Sequence, residues 1–271
     1  MTNAIEITAE DREAYARDGA VCLRGLFDDA WLDRLRVAID RDIEKPGPMG
    51  MRYGRKTDEG TFFGDMYMWT YDPDFRAFAL ESPAGEIAGA LMGSAKVNLF
   101  YDHLLVKEPG SESLTPWHHD LPYWCVEGDQ VCSIWLALDP VDKTSGAVEF
   151  VRGSHRWGKL FRAQDFRMKT IFADPSLEQI PDIDADRDAY EFLSWDTEPG
   201  DCIVFHALTV HGAPGNAASE RRRRALSTRW AGDDAVYIER PAMSEPIRDP
   251  GLKPGDPLDS DLFPVVWRGA A

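Results

Sequence analysis

The chain has little of what would place it outside the ordinary globular class. No apolar run approaches the roughly 20 residues that a membrane-spanning helix needs. Only four cysteines occur in 271 residues, Cys22, Cys125, Cys132 and Cys202, and no CxxC pair is among them. That scatter argues against a disulfide framework or a zinc cluster and favours buried, reduced thiols. Net positive charge is missing too. A formal charge of −17 argues against a nucleic-acid partner, because phosphate recognition needs clustered cations. The opening residues, Met1-Thr2-Asn3-Ala4-Ile5-Glu6, lack the basic and apolar segments of a signal peptide, so a cytoplasmic protein is expected. Internal repeats and low-complexity tracts are absent. What remains is 44% hydrophobic and 28% charged, enough for one substantial core and a single domain over 1–271.

The first third is helix-rich. Thr8 reads as an N-cap, with Glu10 and Asp11 in the first turn and Gly19 after the last, which predicts a short helix. Residues 20–26 read as a strand. A second helix opens at Asp28 or Asp29, with Leu32, Leu35, Ile39 and Ile43 as its apolar stripe. Residues 45–65 are rich in breakers and read as loop. The aromatic run 62–71 reads equally as core or as the wall of an apolar pocket. A further helix over 74–92 is expected to break at Ser82-Pro83. From Ala95 the texture changes to β-rich runs at 95–107, 130–139, 147–152, 201–211 and 222–230, separated by turn residues. That pattern predicts a sandwich or barrel. The Pro- and Asp-rich stretch 233–271 is expected to wrap the surface.

Only six histidines occur, and their spacing carries the chemistry. In Trp117-His118-His119-Asp120, extended backbone puts His118 and Asp120 on one face and His119 on the other. A third ligand must come from another strand, where His206 and His211 are available. His211, at the strand end before Gly212, is the better choice. Strand parity would then group Phe205, Ala207, Thr209 and His211. Two imidazoles and one carboxylate leave half a metal's coordination sphere open. That suits a redox-active Fe(II) that binds O2, although catalytic zinc also uses open sites. His155, in Gly153-Ser154-His155-Arg156, reads as the brace of a turn.

Residues 221–224 are four consecutive arginines leading into Ala225-Leu226-Ser227-Thr228-Arg229-Trp230. Alternation puts Arg223, Ala225, Ser227 and Arg229 on one face. An inward guanidinium demands an anion, since an unpaired buried charge is costly, and a dicarboxylic cosubstrate meets that demand. Arg229 on the same face suggests a contact to an anionic substrate group near the site mouth. A surface or interface ion pair is the competing reading.

With these motifs assembled, the chain resembles the phytanoyl-CoA dioxygenase family of Fe(II)/2-oxoglutarate-dependent oxygenases. The matching stretches are Trp117 to Asp120, Trp135-Leu136-Ala137-Leu138-Asp139, Val151-Arg152-Gly153-Ser154-His155, Gly200-Asp201, His211-Gly212-Ala213 and Arg223-Arg224-Ala225-Leu226-Ser227, with Asp18 to Phe27 at the start. The resemblance implies a mainly β fold, a double-stranded β-helix (jelly-roll, cupin-like) core over 95–232 with flanking helices. It implies His118, Asp120 and His211 as ligands of Fe(2+), with 2-oxoglutarate and O2 as cosubstrates. It also implies Arg223, or its neighbour Arg222, on the distal carboxylate of 2-oxoglutarate, with Trp135 and His103 lining that site. Ala213 stands where a hydroxyl residue is common, so one cosubstrate hydrogen bond is either missing or supplied by Thr209. Related halogenases carry a small residue where this chain has Asp120, so the resemblance favours hydroxylation, or desaturation or epoxidation by the same oxidant, over chlorination.

The expected reaction is therefore hydroxylation of a small, largely apolar organic molecule, with Tyr123 and Trp124 as candidate substrate contacts. Two other classes fit the residues alone: a non-oxidative cupin-like hydrolase or isomerase, and a catalytically silent ligand-binding barrel.

Overall fold

A computed structural model describes residues 6–53, 61–163, 174, 176–218, 220–240 and 243–269. The chain opens with α1 (Ala9–Asp18), capped as its sequence dictates. The Thr8 side chain accepts from the Asp11 N–H, Asp11 reaches back to Thr8, and Gly19 closes the helix in the left-handed conformation. Strand β1 (Ala20–Leu23) follows, then α2 (Asp29–Glu44), capped by Asp28 and burying Leu32, Leu35 and Ile39. β2 (Met51–Tyr53) and β3 (Phe62–Met66) come next, then α3 (Pro73–Glu81) and α4 (Ala84–Met92). The predicted break at Ser82-Pro83 separates the last two.

The β-rich part comprises β4 (Lys96–Lys107), β5 (Thr115–His118), β6 (Val126–Glu127), β7 (Val131–Ala137), β8 (Glu149–Val151) and β9 (Phe192–Leu193). It continues with β10 (Cys202–His206), β11 (His211–Ala213), β12 (Arg223–Ala231), β13 (Val236–Tyr237) and β14 (Val265–Arg268). An eight-stranded sheet runs β1-β10-β7-β12-β4-β3-β2, with β14 also on β4. A four-stranded sheet, β5-β11-β8-β9, faces it, and β13 pairs β6. This is the jelly roll, mainly β with a few flanking helices.

The large sheet has two different faces, as period-two alternation requires. Val21, Leu23, Ile134, Leu136, Val204, Leu226 and Trp230 pack under the helices in the main core. Trp135, Ala137, Ile203, Phe205 and Ala225 face the small sheet and meet Phe150. The functional side chains lie on that second face, between the sheets.

Three expectations are corrected. Within 45–65 the structure forms the β2–β3 pairing, with Met51 opposite Gly64 and Tyr53 opposite Phe62; residues 54–60 lie outside the described residues. A Cβ at Gly64 would lie 2.7 Å from the Tyr53 ring, so glycine is what lets that ring cross the strand. The run 201–211 is two strands in different sheets, because the backbone turns between His206 and His211. The C-terminal stretch does more than wrap the surface: Leu258, Leu262 and Phe263 are core residues, and β14 extends the large sheet. The aromatic run divides. Phe62, Phe63, Met68 and Trp69 are buried, whereas Met66 lines the interior cavity. All four cysteines are free, and Cys125, Cys132 and Cys202 are buried. Among the described residues, no helix is long and apolar enough to cross a membrane.

Asp102 is a liability within this core. It is 1% exposed, Oδ2 accepts the Trp69 N–H at 3.0 Å, and Oδ1 has no hydrogen-bond partner among the described residues. Burial pushes its pKa up to about 8. A raised carboxyl pKa means that the folded state holds a proton the unfolded chain releases. Stability should therefore fall as pH rises from about 4 towards 8. Asp102→Asn removes this dependence: its stability advantage over wild type should grow by on the order of 3 kcal/mol between pH 5 and pH 8. Urea unfolding midpoints measured across that range check it.

Candidate metal centre

The small sheet brings the two histidines together. His118 ends β5, His211 begins β11, and the two are register partners with ring centroids 4.2 Å apart. Asp120 follows β5 in a turn whose backbone is pinned to the β10–β11 connection: the Asp120 and Leu121 N–H groups both donate to the Ala207 carbonyl. One connection thus positions all three side chains. Their ligand atoms lie within 4.8 Å of one another, and all three residues are buried. Asp120 Oδ1 is 3.6 Å from His118 Nε2 and 3.9 Å from His211 Nε2.

Each imidazole is oriented by a backbone carbonyl. His118 Nδ1 donates to Pro116 O at 2.8 Å, and His211 Nδ1 donates to Thr209 O at 2.9 Å. A carbonyl only accepts, so Nδ1 carries the proton and Nε2 is left as the donor to a metal. Burial, then the neighbouring His118, pushes His211 down to about 3, so its imidazole is neutral at physiological pH. Burial alone would raise the Asp120 pKa, yet the Arg229 guanidinium beside it, first among the opposing causes, holds the carboxyl well below its usual range.

Asp120 Oδ2 faces away from the histidines' shared oxygen. It accepts a hydrogen bond from Ser133 Oγ at 2.8 Å, and Arg229 Nε lies 3.6 Å from it. One oxygen is thus left for a metal while the other is fixed by the protein. Ser133→Ala should weaken metal affinity by about 10–100-fold, the usual cost of losing such a support, in a direct Mn(II) titration.

A cavity of about 1050 Å³ including its mouth opens over this cluster. Arg223 lies in its wall, 2% exposed, with only a 3.3 Å bond to the Leu105 carbonyl and a face-on contact to Trp135 at 5.7 Å. Among the described residues its Nε has no hydrogen-bond partner, and burial pushes its pKa down to about 10. Arg222 points outward and pairs with Asp40 and Glu108, so the inward arginine is Arg223. A buried guanidinium without an acid fits an anionic ligand.

The other candidates divide. His103, Trp135, Tyr123 and Trp124 all line the cavity. His103 Nε2 is 3.4 Å from the Tyr53 hydroxyl, and burial followed by Arg229 pushes its pKa down to about 3. Thr209 does not reach the cavity. Parity fails through the turn at 207–210, and its Oγ1 donates to the Gly19 carbonyl at 2.7 Å. The serine and threonine residues that line the cavity are Thr115, Ser227 and Ser244. Arg229 is not at the mouth: it lies beside Asp120, between Tyr101 and Trp124 at 5.6 Å from each ring, and donates to Ser227 Oγ. His119 points away and accepts the Phe161 N–H at 2.9 Å, while His155 Nε2 braces its turn against Ala16 O at 3.1 Å. Sequence reasoning missed Ser133, Tyr101, Met51 and Tyr53. The first two were within reach, since Ser133 alternates with Trp135 and Tyr101 with His103. Met51 and Tyr53 belong to a hairpin the loop reading hid.

Two imidazoles and one carboxylate with an open side, set inside a jelly roll, make the donor set of a mononuclear non-haem iron centre rather than a closed structural zinc site. Fold and site together define the class: a 2-oxoglutarate-dependent dioxygenase that uses iron and O2. The chain belongs to the phytanoyl-CoA dioxygenase (PhyH) family, whose sequence model matches residues 15–225. It is 24% identical over 251 residues to the peroxisomal phytanoyl-CoA dioxygenase of Homo sapiens, covering 88% of this chain and 72% of that protein. A probable phytanoyl-CoA dioxygenase of Caenorhabditis elegans is also 24% identical, over 84% of this chain and 76% of its own. Among solved structures, the non-haem alpha-ketoglutarate-dependent carbocyclase SnoK from nogalamycin biosynthesis superposes with a TM-score of 0.75 at 26% identity, covering 96% of this chain and 97% of its own. The epimerase SnoN, solved with Fe3+, alpha ketoglutarate and nogalamycin RO, shares the fold at a TM-score of 0.73 and 24% identity, covering 95% of this chain and 98% of its own.

Proposed function

We propose that this enzyme hydroxylates an unactivated C–H bond of a small, largely apolar organic molecule. The observation that carries this reading is the composition of the cavity beyond the metal ligands. Met51, Tyr53, Met66, Tyr101, Tyr123 and Trp124 form a largely apolar, aromatic wall. Bound iron and 2-oxoglutarate supply an O2-dependent oxidation that releases succinate and CO2.

The protein's own residues do the rest. His118, Asp120 and His211 hold the metal. Arg223 takes the distal carboxylate of 2-oxoglutarate, with Trp135 and His103 lining that ligand's place. Arg229 acts on Asp120, keeping the carboxylate ionised and oriented, rather than on a free substrate anion. Tyr123 and Trp124 face the substrate, and Trp124 is fixed by its indole N–H donating to the Tyr101 hydroxyl at 2.8 Å. With the Asp120 carboxylate in place, hydroxylation is favoured over halogenation. The family assignment leaves a non-oxidative barrel enzyme or a silent binding barrel without support. Four free cysteines suit a reducing, cytoplasmic setting.

The test is a substrate screen that scores succinate above the uncoupled background and the product mass. A true substrate stimulates succinate formation and gains one oxygen atom. Products that lose hydrogen, close a ring or change configuration without gaining oxygen would overturn the hydroxylase reading.

A further inference from the structure

Arg223 is not the only buried basic side chain on its face of the large sheet. Lys107 is its direct register partner across the β4–β12 pair, and opposite residues of an antiparallel pair share one face about 5 Å apart. Lys107 is 0% exposed, and Nζ donates to the Pro214 carbonyl at 2.6 Å and lies 4.9 Å from the Phe62 ring centroid. Neither cation makes an ion pair among the described residues, and Arg223 Nε is unpartnered.

Among the described residues no acid pairs with either side chain, and Asp139, which favours the charged form of Arg223, does so without an ion pair to it. β12 presents Arg223, β3 presents Phe62, and the segment after β11 presents the Pro214 carbonyl. Asn216 spends its amide on the Lys107 and Arg221 carbonyls. Glu108, next in the chain, pairs with Arg222, and Asp139 pairs with Arg224. Two adjacent buried charges of one sign cannot both persist cheaply, and lysine is the one that yields its proton. Burial and Arg223 both hold the Lys107 ammonium well below its usual pKa, while a neutral amine still donates to Pro214.

We propose that Lys107 and Arg223 form a proton-linked anion site, in which docking of the distal carboxylate of 2-oxoglutarate draws one proton from solvent onto Lys107 Nζ. The carboxylate supplies the missing negative charge, and the amine becomes ammonium as it binds. Lys107 is thus a positioning residue that makes the site selective for a dianion over a monocarboxylate. This inference rests on the reading that Arg223 holds the cosubstrate.

Calorimetric titration of the full-length Mn(II)-loaded protein with 2-oxoglutarate, in two buffers of different ionisation enthalpy, counts the protons. Measured near neutral pH and about two units higher, wild type should take up as much as one proton per ligand. Affinity should fall about tenfold per pH unit where that uptake operates. Lys107→Met should bind more weakly, with no uptake and a flat pH dependence. Lys107→Arg, always charged, should bind at both pH values without uptake, and decides the matter with wild type if the methionine variant does not fold. No uptake by wild type at either pH, or equal uptake by the lysine variants, overturns the proposal. The underlying reading fails separately, and takes the proposal with it, if wild type does not bind 2-oxoglutarate or if Arg223→Met binds it equally well.

Discussion

Replacing Arg223 with methionine should raise the KM for 2-oxoglutarate by more than about 30-fold and leave the protein at least as stable as wild type. Both halves follow from one fact. Among the described residues the buried guanidinium has no acid partner, so the folded protein carries the desolvation cost of that charge. Truncating one member of a buried, hydrogen-bonded charge pair costs about 2–5 kcal/mol of binding, which sets the size of the KM effect. Methionine fills similar space without a charge, so the cosubstrate-free variant should not melt earlier. What it should lose is the rise in melting temperature that 2-oxoglutarate gives the wild type. Arg222→Met, by contrast, removes an outward pair with Asp40 and Glu108 and should leave the KM nearly unchanged. A ligand-dependent thermal shift on both variants separates the two arginines.

His211→Ala should lower metal affinity more than about 100-fold and bring 2-oxoglutarate-dependent succinate formation to background. Losing a mere support of a ligand costs about 10–100-fold, so losing the ligand itself costs more. The ring also packs between Phe150 and Phe205, with centroids 5.7 and 4.7 Å away, so its removal should cost about 1–3 kcal/mol of stability. A folded variant with an intact melting transition and no metal in a Mn(II) titration is the expected result. His206→Ala is the comparison. That imidazole faces the other side of the sheet, where Nε2 donates to the Asp129 carbonyl at 2.7 Å, and its loss should leave metal binding intact.

Period-two alternation made most of the site readable before the structure. It holds on β12, where Arg223, Ala225, Ser227 and Arg229 turn inward while Leu226 and Trp230 enter the helical core. At the end of β5 the outcome holds but not the reason: His118 and Asp120 meet the same centre and His119 does not, yet Asp120 lies past the strand in a helical turn. Alternation fails where the chain bends. The run from Phe205 to His211 turns between two sheets, so Thr209 lands on the Gly19 carbonyl instead of in the cavity. His211 joins Phe205 there through the turn, not through strand parity. The β2–β3 hairpin was invisible because glycines and prolines around it outweigh a three-residue strand, and its pairing partner is decided only by β4. Arg229 shows what no pattern on one strand reports. Its place beside Asp120 depends on β5 and β12 coming from opposite sheets. Lys107 was hidden for the same reason, since its burial against Arg223 exists only once β4 and β12 pair.

The central claim is that His118, Asp120 and His211 hold a single iron with room beside it for 2-oxoglutarate. Anaerobic titration of the apoprotein with Fe(II) and 2-oxoglutarate, followed by visible absorption, tests it most directly. A charge-transfer band that needs both components, saturates at one iron per chain and disappears in the His211→Ala variant is the predicted result. No band with both components present, or one that survives unchanged in that variant, would contradict it.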